Sequence, residues 1–189
     1  MMDRLADRWQ RRQEGQPQQH HQQPYVTVAV SEQVTVAGVN PAQLWQLVWD
    51  PATSPLVLDH VVAAFTVPGT PAGKVGEMQM HIVEGARGTL VGMIEEVVEI
   101  GPGYRAVTRS RSVVQPTTST TTVLPLDQGG CVLRHHTELT APASTANAVR
   151  EELQAYSIRY LTRVRDLAKE SLLAVKDHSD IAGPSPAQR

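Results

Sequence analysis

The chain has one cysteine, Cys131, in 189 residues. An internal disulfide is therefore impossible, and a cysteine-based metal cluster is not expected. Low cysteine usage fits a reducing compartment, so the expected location is the cytoplasm. Neither sign of charge dominates: the net charge is −2. No strong field favours nucleic acid or an anionic membrane surface. No apolar run approaches the ~18 residues that a spanning helix needs, so no integral membrane segment is expected. Motifs with a known mechanism are missing too: there is no G-x-G-x-x-G, H-E-x-x-H, G-x-S-x-G or C-x-x-C. The run "GTPAGKV" has a residue too few for a phosphate loop and lacks the hydroxyl residue after Lys74. It reads as a strand connection, and as a lip of any cavity. No cofactor and no metal are expected.

Aromatic residues are scarce: three tryptophans, four tyrosines and one phenylalanine. Two of the tryptophans sit in "NPAQLWQLVWD", Asn40 to Asp50. Asn40 can cap a helix, Pro41 suits its first position, and Gln43 stands where a capping box wants its partner. Asp50-Pro51 closes the helix. A second short helix is expected in "ATSPLVLDH". Residues 1–24 are polar and glutamine-rich and read as a disordered tail. Met2, Leu5 and Trp9 could share a helical face there, and His20 and His21 are adjacent, a poor metal signal. That tail lacks the apolar stretch of a secretory signal. Residues 25–175 form one domain, and residues 176–189 a second disordered tail.

Within the domain, "YVTVAVSEQVTVAG" reads as a long strand. Six further strand-like runs follow, broken by glycine-bearing turns such as "GPG" and "DQGG". Such spacing implies an antiparallel meander. From about Thr145 to Ala174, Val149, Leu153, Tyr156, Tyr160, Val164 and Leu167 recur at helical spacing. The expected fold is α+β: a curved antiparallel sheet of about seven strands around a long C-terminal helix, with two small helices after strand one. A curved sheet holding a straight helix leaves space between them, a candidate ligand cavity.

This pattern resembles the START-like (SRPBCC) helix-grip superfamily, which includes START lipid-transfer domains, the birch-pollen-allergen (Bet v 1-like) group and polyketide cyclase/dehydrase-like proteins. The segments that carry the resemblance are "VAVSEQVTVAGVNPAQLWQLVWDP", "KVGEMQMHI", "IEEVVEIGPGYRAVTR" and "GGCVLRHHTEL". The resemblance spans about Val26 to Leu173. Members often have threonine where Cys131 stands, and Trp49 is unusual.

Strand alternation nominates the lining. Met78 and Met80 are expected to face inward with Ile82, and Glu77, Gln79 and His81 to face solvent. Thr108 and Ser110 are expected inward, with Arg105, Arg109 and Arg111 outward. Glu95 and Glu99 are expected on one face as solvated carboxylates. His135 should face inward with Cys131 and Thr137 if Leu133 and Leu139 do. A histidine there could orient a ligand or act as a general base, so His135 is the catalytic candidate. Tyr156 and Tyr160 offer hydroxyls on the helix side. Trp49 packs beside Trp45 or reaches the cavity mouth. The expected ligand set is therefore Trp49, Met78, Met80, Thr108, Ser110, His135, Tyr156 and Tyr160.

The expected function is binding of a small hydrophobic molecule (a lipid, an isoprenoid or an aromatic polyketide-like compound). The alternative is a polyketide cyclase/dehydrase-type enzyme promoting aldol closure and dehydration. A third reading is an interaction module acting through the N-terminal tail or a sheet edge.

Overall fold

The computed structural model describes residues 24–111 and 116–181. The N-terminal tail, with Met2, Leu5, Trp9 and the His20-His21 pair, lies outside the described residues. Strand β1 (Tyr25–Val36) leads into helix α1 (Pro41–Trp49). The Asn40 side chain accepts a hydrogen bond from the Ala42 amide at 2.8 Å, which caps α1. Asp50 ends that helix and starts the next turn: its carboxylate accepts from the Ala52 amide at 2.9 Å. A single 3-10 turn, Pro51–Thr53, then passes into the short helix α2 (Ser54–Val57).

The remaining strands are β2 (Val61–Thr66), β3 (Met78–Glu84), β4 (Leu90–Gly101), β5 (Tyr104–Ser110), β6 (Thr117–Pro125) and β7 (Cys131–Pro142). They form a seven-stranded sheet in the order β1-β7-β6-β5-β4-β3-β2. Every neighbouring pair is antiparallel. The two small helices carry the chain from one edge of the sheet to the other, and the meander returns it to β1. The last helix, α3 (Ala146–Ile181), has 36 residues, seven beyond the expected end at Ala174. Its length is roughly 54 Å. Residues 182–189 lie outside the described residues.

Helix α3 packs mainly on β1 and β7, with α1 and α2 closing one end. Apolar packing is divided between the two ends of the domain. One core cluster joins Val36, Val39, Leu44, Val57, Val123, Cys131, Leu133, Leu161, Val164 and Ala168. The other joins Val28, Val30, Leu139, Ala141, Ala146, Val149 and Leu153. Between them, on the inward faces of β7 and α3, lie His135, Thr137, Tyr156, Ser157 and Tyr160. The fold thus secures its stability at the two ends and leaves its middle to polar side chains.

Candidate functional site

The inward face of each strand follows from the register. On β7, Cys131, Leu133, His135, Thr137 and Leu139 are all buried and alternate with exposed or half-buried residues. Thr137 lies opposite Ser119, and Thr121 opposite His135. Ser119 in turn lies opposite Thr108. Thr108 and Ser110 are therefore on the concave side. The arginines of β5 leave on the other side: Arg105 pairs with Glu99, and Arg111 with Glu96.

Strand β3 runs in the opposite phase to the sequence reading. Glu77 and Gln79 are buried at 2% and 8% exposure, while Met78 and Met80 are half-buried on the outer face. Met80 lies in a row with Phe65 and Ile94 there. The two methionines therefore do not line the concave side. The reason is a set of hydrogen bonds that makes a buried carboxylate acceptable. Glu77 accepts from the Thr66 hydroxyl at 3.0 Å, the Gly73 amide at 2.6 Å and the Gln79 amide group at 3.1 Å. These bonds also hold the "PGTPAGKVG" connection in place, helped by the Gly76 amide donating to the Val97 carbonyl at 2.8 Å.

Glu95 follows Gln79, its cross-strand partner, onto the concave side. Glu99 does not, because the register shifts between Val97 and Glu99. A bulge adds one residue and turns the strand over, so the expected common face of Glu95 and Glu99 is broken. On α3, the Tyr156 ring lies 6.0 Å from that of His60 and the Tyr160 ring 5.2 Å from that of His135. Burial first, and the Glu95 charge second, push both phenols well above their ordinary range. Both hydroxyls are therefore protonated donors at neutral pH.

Between sheet and helix, Met93, Glu95, Thr108, Ser110, Ser119, Thr121, Tyr156 and Tyr160 are half-buried rather than fully buried. Among the described residues, neither the Glu95 carboxylate nor the Tyr156 and Tyr160 hydroxyls make a hydrogen bond to protein. The buried Nε2 of His81, also on the concave side of β3, has no partner either. The inward position of Glu95 follows from its register with Gln79, which the opposite phase expected for β3 concealed.

His135 is placed differently from these groups. It is 8% exposed, its ring lies 5.2 Å from that of Tyr160, and both its nitrogens face protein. Nδ1 is 3.5 Å from the Ser157 hydroxyl and Nε2 is 3.5 Å from that of Thr137. Burial, with a smaller contribution from the charge of His136, lowers its pKa to about 4. It is a neutral interior imidazole at pH 7, held by contacts on both sides. Burial likewise raises the Cys131 thiol. Trp49 stacks on Trp45 at 5.1 Å and 15°, and Trp45 reaches Tyr104 at 6.0 Å. The Trp49 carbonyl accepts a long bond, 3.5 Å, from the Gln79 side chain. The two tryptophans thus form one aromatic block, extended by Tyr104. Among the described residues, no helix is long and apolar enough to cross a membrane.

No family model and no curated protein matches the chain. Solved structures do. Norcoclaurine synthase from Thalictrum flavum, in complex with dopamine and hydroxybenzaldehyde, is 14% identical, with a TM-score of 0.57 over 82% of this chain and 94% of that one. Ara h 8.0201 is 14% identical, with a TM-score of 0.58 over 77% and 99%. The di-domain ARO/CYC StfQ from the steffimycin biosynthetic pathway is 16% identical, with a TM-score of 0.62 over 89% of this chain and 55% of that one. At these identities the likeness is one of fold, and the chain has the Bet v 1-like helix-grip fold.

Proposed function

We propose that this domain binds a small organic molecule in the hollow between β3–β7 and α3. The observation that carries this reading is the set of half-buried polar side chains between sheet and helix, Glu95, Thr108, Ser110, Tyr156 and Tyr160, together with the buried His81 Nε2 that has no protein partner. Leaving the buried His81 Nε2 unsatisfied costs on the order of 1–3 kcal/mol. A ligand that hydrogen-bonds it recovers that cost. Apolar burial of the ligand adds roughly 25 cal/mol per Å². The wall is more polar than a container for a plain hydrocarbon requires. An aromatic or isoprenoid body carrying polar substituents suits it better than a simple lipid chain.

A cyclase/dehydratase reading has one specific support. Glu95 on the concave side of the sheet and the two tyrosines of α3 are an acceptor and two proton donors, the kinds of group that enolisation and loss of water need. Similar solved structures include a synthase and an ARO/CYC protein. Binding remains the primary reading, since it needs only the surface described. A single buried thiol fits a cytoplasmic setting.

Mass spectrometry of the folded protein tests the proposal. Purified gently from its source, the protein should carry an organic molecule that is released on denaturation. An unliganded mass, together with no thermal shift from any small aromatic compound, would count against it.

A further inference from the structure

The buried carboxylate of Glu77 takes its three hydrogen bonds from neutral donors, and one of these donors belongs to an exposed loop. Between β2 and β3, Pro71, Ala72, Gly73, Lys74 and Val75 are all exposed. Val75 is 55% exposed, and a Cβ placed on Gly73 meets nothing within 4 Å. Apolar packing therefore does little to hold the middle of this loop. Its base is fixed by backbone bonds. The Val67 amide donates to the Met78 carbonyl, and the Gly76 amide to the Val97 carbonyl, both at 2.8 Å. Thr70 is tied to the same base: its hydroxyl donates to the Val67 carbonyl at 2.8 Å and accepts from the Met78 amide at 3.2 Å.

The middle of the loop is held differently. The Gly73 amide donates to one oxygen of the Glu77 carboxylate at 2.6 Å. The other oxygen accepts from the side chains of Thr66 and Gln79. Thr66 and Gln79 are cross-strand partners, and Gln79 is buried on the concave side of β3. A loop amide bonded to a carboxylate among these groups places the middle of the loop against the concave side. Gln79 also reaches the Trp49 carbonyl at 3.5 Å, so the same cluster extends to the end of α1. Gly69 and Gly76 flank the exposed run with φ of +85° and +90°, a region that glycine enters at little steric cost.

We propose that the β2–β3 loop is a hinged flap on the concave side and that Glu77 is its latch. Opening the flap breaks the Gly73–Glu77 bond and exposes almost no apolar surface, so it precedes any unfolding of the sheet. On the reading that the concave side holds a ligand, this flap is where the ligand enters and leaves.

Hydrogen exchange of the full chain, followed by mass spectrometry, tests the latch. In Glu77→Gln the amides between Gly69 and Gly76 should exchange about tenfold faster or more, because hydrogen bonds to charged groups are the stronger kind. Amides of β6 and β7 should keep their rates. Thr66→Val removes one donor and leaves the charge, so it should speed the same amides to a smaller extent. It decides the question if the glutamine variant does not fold. Unchanged loop exchange, or acceleration spread over the whole sheet, would overturn the latch. Stopped-flow fluorescence of anilinonaphthalene sulfonate tests the gate. Association and dissociation should both quicken in Glu77→Gln, with Kd within about twofold of the parent. A loosened loop with unchanged probe rates would overturn the flap as the entrance and leave the latch standing. A probe that fails to bind the parent would count against the binding site itself, with the latch still judged by exchange.

Discussion

Gly130→Ala should destabilise the domain by about 3 kcal/mol or more, whereas Gly129→Ala next to it should cost only about 1–2 kcal/mol. Both glycines have positive φ, +86° at Gly129 and +94° at Gly130, so both substitutions force a left-handed alanine. They differ in the space available. A Cβ on Gly129 meets nothing within 4 Å. A Cβ on Gly130 would lie 2.5 Å from the Val36 carbonyl oxygen, 2.9 Å from the Ala37 Cα and 3.0 Å from the Gly38 nitrogen. All three are backbone atoms and cannot rotate aside. Relief requires separating the β6–β7 turn from the end of β1, where Val36 pairs with Cys131. Both of those residues belong to the larger core cluster. Urea unfolding of the two variants checks this. Equal losses would show that the close approach of turn and strand is not what fixes Gly130.

The second large effect concerns pH. His135 has a folded pKa of about 4 against its ordinary 6.5. As pH falls below about 6.5, the unfolded chain takes up a proton that the folded chain refuses until about pH 4. Stability is therefore fully present above pH 6.5 and lost across that window, by roughly 3 kcal/mol from this one group. Carboxylates titrate in the lower part of the same range, so the informative quantity is a difference. The slope of unfolding free energy against pH between 6.5 and 4.5 should be markedly flatter in His135→Gln than in the parent. Matching slopes would mean that the imidazole gains solvent or a partner on protonation.

Much of the architecture was legible before the structure. Asn40, Pro41 and Asp50 marked the first helix because capping chemistry is local. Alternation on β7 placed His135 and Thr137 inward because Leu133 and Leu139 anchor that phase. Strand β3 failed under the same rule. Its inward carboxylate is made tolerable by Thr66 and Gly73, partners that belong to another strand and to a loop and leave no periodic trace. The bulge after Val97 was equally silent, since one extra residue changes which glutamate faces inward without changing composition. Glu95 is the cost of those two errors: the acidic group nearest the two inward tyrosines read as a solvated surface residue. Tyr156 and Tyr160 were visible from helical spacing alone. What spacing could not reveal is that the apolar core divides into two clusters around them.

Fluorine NMR of protein in which all four tyrosines are replaced by fluorotyrosine tests the central claim most directly. Tyr25 is exposed on β1, Tyr104 packs near Trp45, and Tyr156 and Tyr160 face the hollow. Titration with a small aromatic compound that gives a thermal shift should move the Tyr156 and Tyr160 signals and leave that of Tyr25 unchanged. Binding that shifts Tyr25, or that leaves the two helix tyrosines where they were, would contradict an internal site.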